Sequence, residues 1–297
     1  MNKQPKNISE QIQLLKSRGL LFKNEVAAIN ILSNISYYRL KGYWWEMQED
    51  PINHRFKKNN YFEDAVILYN FDSRFRLIVF SAIERIEIAL RAKMIYHFSL
   101  EYGPCWHLNP DLFQKSHYFN EFQMKLNNDL KNSREVFIKE HYKKHPNENP
   151  ESWKALEVLP LGTLSKLYKN LKHQLPEKNT IAKEFGLYNQ KHFSSWLAAI
   201  TLIRNIIAHH GRLWNRELIT KYDWPDKTMA PLLLSKPDGS QRGKLFSMLS
   251  AMIYMNNFIN SERCIKKDLC DLFNKFEKVP LSKIGFPKNW KKEPIWE

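Results

Sequence analysis

At 297 residues and 43% hydrophobic content, the chain can bury one large core or two smaller ones, which excludes an intrinsically disordered protein. Forty-six Lys and Arg against 31 Asp and Glu leave a formal charge of +15, so an anionic partner is expected, nucleic acid ahead of membrane. Three scattered cysteines, Cys105, Cys264 and Cys270, exclude a disulfide framework and fit free thiols in a reducing compartment. The first residues, with Lys3, Lys6 and Glu10 among polar neighbours, lack the apolar core of a signal peptide. The longest uncharged apolar run, Trp196 to Ile203, falls well short of the roughly 20 residues of a membrane helix. A cytoplasmic location without membrane partners is expected.

Glycine is scarce, two-residue alternation is almost absent and 3.6-residue periodicity recurs, so the fold class is all-α. Ser9 is the expected cap of a first helix that runs out at Gly19, and Asn24 of a second carrying Val26, Ala27, Ile29, Ile31 and Leu32. An aromatic and basic block, Tyr37 to Trp45, closes this N-terminal helical unit, placed at residues 1–50. The polar stretch Glu49 to Asn60, with Pro51, reads as a linker. A long helix follows from about Leu68 to Phe98. It carries Phe71, Phe75, Ile78, Ala82, Ile86 and Ala89 on one face, Glu84, Glu87 and Arg91 on the other, and ends at Gly103-Pro104. Phe113 to His145 is helical and heavily charged. Trp153 to Leu171 follows with a break at Leu159 to Gly162, then a short piece around Thr180 to Phe185. Asn189 or Ser194 opens the next helix; after a Pro-containing loop come Leu245 to Ile259 and Cys264 to Phe276. The tail from Val279 to Glu297 is expected to lie across the surface.

The chemistry concentrates in Arg204-Asn205-Ile206-Ile207-Ala208-His209. A guanidinium holds a phosphate by paired hydrogen bonds at any physiological pH, and an imidazole gives or takes a proton as that phosphate is attacked. On a helical wheel of ~100° per residue, Trp196, Ile200, Ile203 and Ile207 form the core stripe. Asn205, His209 and Arg212 then fall on the opposite side, Arg204 on the flank, and His210 turns back towards the core.

Arg204-Asn205-x-x-Ala208-His209-His210, followed by Arg212 to Arg216, resembles the signature of the Abi-like abortive-infection proteins (AbiD/AbiF type), a branch of the HEPN superfamily. Tyr37 to Leu40 with Gly42-Tyr43-Trp44, Phe71-Asp72, Ala82 to Glu87 with Ala89-Leu90-Arg91, Leu161 to Ser165, Phe185-Gly186-Leu187, Ser195-Trp196-Leu197 and Gly285-Phe286-Pro287-x-x-Trp290 resemble further signatures of that family. Gly211 departs from it, standing where a serine or similar residue is expected. The resemblance implies a HEPN-like helical bundle at residues 61–216, with residues 217–297 forming a loop, C-terminal helices and tail packed on it. It also implies a homodimer with a composite active site, and metal-independent RNA cleavage without a cofactor. His209 would then be general acid or base, Arg204 the phosphate ligand and Asn205 its neighbour, with His210 and Arg212 in support; from their place on the long helix, Glu84 and Glu87 either orient Arg204 or His209 or serve equally well as partners of Arg91. A small structured noncoding RNA is an expected regulatory partner.

Tyr38, Arg39, Lys41, Tyr43, Trp44 and Arg216 are candidates for RNA contact, Tyr37 joining the aromatic set, although such aromatics are more often core. The helices ahead of that block leave room for a helix-turn-helix-like unit, and so for a second reading, a nucleic-acid-binding regulator or degenerate HEPN protein without catalysis. His141 and His145 stand at metal-ligand spacing with no third ligand in view, and Gly239 to Leu245 mimics a phosphate loop but lacks its Ser or Thr and a preceding strand. No metal site is expected.

Overall fold

Short polar side chains set where the helices begin. The computed structural model describes residues 4–219, 222–259 and 265–297, so Cys264 lies outside the described residues. Asn7, rather than Ser9, opens α1 (Ile8–Ser17): its side chain accepts from the Glu10 amide at 2.9 Å while the Glu10 carboxylate accepts from the Asn7 amide at 2.7 Å. That reciprocal pair satisfies two otherwise orphaned donors, which a lone serine would not. Asn24 caps α2 (Glu25–Asn34) by accepting from the Ala27 amide, and Ser36 caps α3 (Tyr37–Trp44).

The stretch read as a linker is instead a small hairpin. A 3-10 turn, Trp45–Met47, leads into β1 (Gln48–Asp50), which pairs antiparallel with β2 (Arg55–Phe56). Asp50 closes the turn by accepting from the Ile52 and Asn53 amides, and the buried Phe56 donates its amide to the Arg18 carbonyl at 2.8 Å. One apolar side chain anchors a segment whose composition is otherwise that of a loop.

α4 (Phe62–Tyr102) is longer than its periodicity suggested. It contains neither Gly nor Pro, carries Glu63 and Asp64 in its first turn, and stops at Gly103, whose φ is +83°. The charged stretch beyond divides at Ser133 into α5 (Ser116–Asn132) and α6 (Val136–Lys144). α7 (Ser152–Ala155) and α8 (Leu161–Asn170) flank a 3-10 turn, Leu156–Val158. Pro176 at the first position starts α9 (Pro176–Glu184) a turn before Thr180, as a residue with preset φ and no amide proton can. α10 (Gln190–Ala208) is capped by Asn189; α11 (Leu245–Phe258) and α12 (Ile265–Lys275) complete twelve α-helices among the described residues. The fold is all-α, with one two-stranded sheet.

The chain divides into two compact units. One comprises the chain up to Leu77 with Arg212–Trp214 and Leu269–Pro280. Its core gathers Leu15, Leu40, Tyr43 and Trp44 with Phe62, Phe71 and Phe75, and Phe71 meets Phe273 and Phe276 at centroid distances of 6.3 and 5.8 Å. The other comprises Ile78–Gly211, Asn215–Asp268 and Leu281–Glu297. There α10 packs on α8, α9 and α11, burying Trp196, Leu197, Ile200 and Ile203. α11 is buried from Leu245 through Asn256, as befits a helix apolar on every side. The tail does not merely cross the surface: Ile284, Phe286, Ile295 and Trp296 are buried, and the Trp296 indole donates to Ser250 Oγ at 2.8 Å.

Candidate active site

α10 delivers the Arg-x4-His sequence at its C-terminal end. Its core stripe is the expected one, with Trp196, Ile200, Ile203 and Ile207 all buried, and the Trp196 indole donates to the Asp223 carbonyl at 3.0 Å. Asn205 and His209 are exposed on the other side and Arg204 is half-buried on the flank. Neither Asn205 nor His209 makes a side-chain hydrogen bond or ion pair among the described residues. The Arg204 Nε is buried without a hydrogen-bond partner. The guanidinium keeps a desolvated, unspent donor and the imidazole five residues on is unengaged, so each has capacity left for an anion.

The helix ends before His210 and Arg212, both of which the wheel places on it. Ala208 is the last helical residue, and His209 is the cap, its amide donating to the Asn205 carbonyl at 3.1 Å. His210 takes φ +55° and donates to the Ile207 carbonyl at 2.8 Å, while the Gly211 amide reaches the Ile206 carbonyl at 2.7 Å. This is a Schellman ending with histidine where glycine is usual. His210 is therefore exposed and not turned back to the core stripe: the left-handed residue swings the chain off the helical path. Gly211 is explained by the same turn. A Cβ there would stand 2.9 Å from the Ile206 carbonyl oxygen, so the expected serine does not fit this ending. The Arg216 guanidinium lies close to the same point, 3.4 Å from where that Cβ would be.

Glu87 does not serve Arg204 or His209. It accepts from Arg91 at 3.1 Å, and Arg91 also donates to the Leu156 and Leu159 carbonyls, which fastens α4 to the turn before α8. Glu84 is exposed. In the N-terminal block, Tyr43 and Trp44 are buried, so neither offers a face to a base, and Tyr37 is half-buried against Trp44. Tyr38 and Arg39 are exposed and Lys41 is partly so. His141 is engaged by the Glu148 carbonyl at 3.1 Å, and no group of three or more metal-ligating side chains occurs among the described residues.

Sequence reasoning missed the role of Asp72. This fully buried carboxylate accepts from the Tyr43 hydroxyl at 2.7 Å, from the Arg76 guanidinium, and from the backbone amides of Leu213 at 3.0 Å and Trp214 at 2.6 Å. Burial and the adjacent carboxylate push the Tyr43 hydroxyl well above its usual pKa, so it remains a donor. Asp72 thus pins the chain four and five residues after His209. A side chain of Gly42 would meet Arg212, 3.5 Å from its Nε, in the same unit. An apolar helix face interrupted by Asp and Arg at i, i+4 was the available signal.

A match to the family described as Abi-like protein spans residues 30–215, more than half of the chain. The chain belongs to the Abi-like family. The matched span contains Arg204, Asn205 and His209 together with the Tyr43–Asp72–Arg76 cluster and its Leu213 and Trp214 amides, so in this Abi-like chain both the motif and the Asp72 clamp fall inside the family region. No curated protein and no solved structure matched the chain.

Proposed function

We propose that this Abi-like chain is an anti-phage abortive-infection toxin that acts as a HEPN-type endoribonuclease. The observation that carries the reading is the unspent Arg204 Nε five residues before the unengaged His209 imidazole. In the proposed reaction the ribose 2'-oxygen attacks the adjacent phosphorus as His209 removes its proton. The bond to the 5'-oxygen breaks, leaving a 2',3'-cyclic phosphate and, once that oxygen is protonated, a 5'-hydroxyl. Arg204 binds the non-bridging phosphoryl oxygens and offsets the charge that grows there. Asn205, one turn before His209, orients the ring or the phosphate. No metal is needed, because imidazole and guanidinium supply both proton transfer and charge stabilisation.

A second copy of the chain completes the reading. Five residues of helix rotate by roughly 140°, so Arg204 and His209 of one copy point apart. Two copies related by a twofold axis would bring one Arg204 to the other's His209 and supply a second imidazole to protonate the leaving oxygen. RNA is the substrate, since the 2'-hydroxyl is the nucleophile, and a small structured RNA is a fitting regulator of so basic a chain.

Expression of the unaltered chain and of His209→Ala in bacteria, with mapping of 5'-hydroxyl RNA ends, tests this. Ends should accumulate only with the unaltered chain, and in vitro the rate should fall about 10²-fold to 10⁴-fold on losing the imidazole. Arg204→Ala should cost a comparable factor, about 10²-fold to 10³-fold. Equal cleavage by both variants would sink the assignment, and RNA binding with no cleavage by any form would favour a non-catalytic regulator.

A further inference from the structure

Trp44 and Trp45 are sequence neighbours with opposite environments. Trp44 is fully buried, whereas Trp45 is 46% exposed and Tyr38 is 73% exposed. Tyr38, Lys41 and Trp45 stand at i, i+3 and i+7 on α3 and the 3-10 turn that continues it, and so share one face. The Lys41 ammonium lies 5.6 Å from the Tyr38 ring centroid and 5.5 Å from that of Trp45. Both distances are within the about 6 Å reach of a cation–π contact. The hairpin braces this face: His54 meets Trp45 edge-on at 6.3 Å, and Lys57 Nζ donates to the Glu46 carbonyl at 2.9 Å. Two exposed flat rings with a cation between them, in a chain of charge +15, match the chemistry of a strand that alternates π faces with phosphates.

We propose that Tyr38, Lys41 and Trp45 form a stacking platform for single-stranded RNA. One base lies on each ring, and Lys41 leaves its ring contacts for a phosphate between the two bases. The proposal rests on the RNA-directed reading above for its choice of RNA over DNA. Stacking accepts any base, so the platform is tolerant of sequence, and it rejects duplexes, whose base faces are already covered.

Fluorescence anisotropy of the full chain carrying His209→Ala, which leaves the RNA uncut, tests the platform with a labelled oligouridine, a hairpin duplex of equal length and, separately, phosphatidylserine vesicles. Oligouridine should bind more tightly than the duplex. Tyr38→Leu and Trp45→Leu should each weaken its binding by about fivefold to 150-fold, while Tyr38→Phe retains it. Lys41→Gln should flatten the salt dependence. Unchanged oligouridine binding by both Leu variants overturns the platform, and the functional reading then still stands if the unaltered chain cleaves RNA. Absence of both RNA binding and RNA cleavage overturns both proposals. Vesicle capture that is lost in the Leu variants, without oligouridine binding, overturns the RNA platform and assigns the face to membrane.

Discussion

Asp72 holds four donors in a fully buried site, and each would be stranded by its removal. Asp72→Ala leaves the buried Arg76 charge unpaired and two backbone amides orphaned, so the loss in stability should be about 3–5 kcal/mol. Tyr43→Phe removes one neutral donor from the same carboxylate and should cost only about 1 kcal/mol. Urea unfolding of both variants checks the ranking; near-equal midpoints would mean that Asp72 is not the hub. At His210 the left-handed backbone costs an L-residue about 1–2 kcal/mol, part of which glycine returns as chain entropy. His210→Gly should therefore raise stability by up to about 1 kcal/mol. It should also leave RNA cleavage intact if His209 alone carries the proton; lost cleavage in a stable variant would make His210 part of the chemistry. The sequence displayed both histidines, but the wheel could not assign them, because the side a residue faces after a helix ends depends on the turn that ends it.

Among the elements, the connection from α9 to α10 shows how little room the packing leaves. Gly186 has φ +84°, and an added Cβ would stand 2.5 Å from Tyr254 and 2.6 Å from Phe258 of α11. Its carbonyl accepts from the Tyr254 hydroxyl at 2.7 Å and from the Met229 amide at 3.1 Å. Backbone strain and overpacking together should make Gly186→Ala cost about 2–4 kcal/mol. Gly239, with nothing within 4 Å and no left-handed φ, is the control: Gly239→Ala should shift the unfolding midpoint by little. A similar loss at both sites would show that the contact with α11 is not responsible. Helix identity was legible from periodicity for α4 and α10 and from a nearly all-apolar composition for α11. The hairpin was not, since its place depends on Phe56 finding a core built from distant segments.

For the whole molecule, pH and charge give separate handles. His107 is buried, its two ring nitrogens make no hydrogen bond among the described residues, and burial pushes its pKa down to about 4. The unfolded imidazole takes up a proton below about pH 6.5, while the folded one resists until about pH 4. Stability from this group is therefore fully present above pH 6.5 and is lost as the pH falls to 4, by about 3 kcal/mol. His107→Leu should flatten the urea midpoint across that window relative to the unaltered chain; parallel curves would clear His107 of the effect.

By itself the sequence determined the helical class, the Arg204 to His209 motif and the excess of positive charge. Periodicity, residue chemistry and net charge are local or additive properties that need no contacts to be read. Only the tertiary structure decided that Asp72 clamps Leu213 and Trp214, that Gly211 suits the end of α10, and that Tyr38 and Trp45 face solvent while Tyr43 and Trp44 do not. The last distinction turns on which side of a two-turn helix meets Phe56 and Phe62, residues that lie in other elements. Burial is a property of the neighbours a side chain acquires, and a pattern along one segment does not contain them.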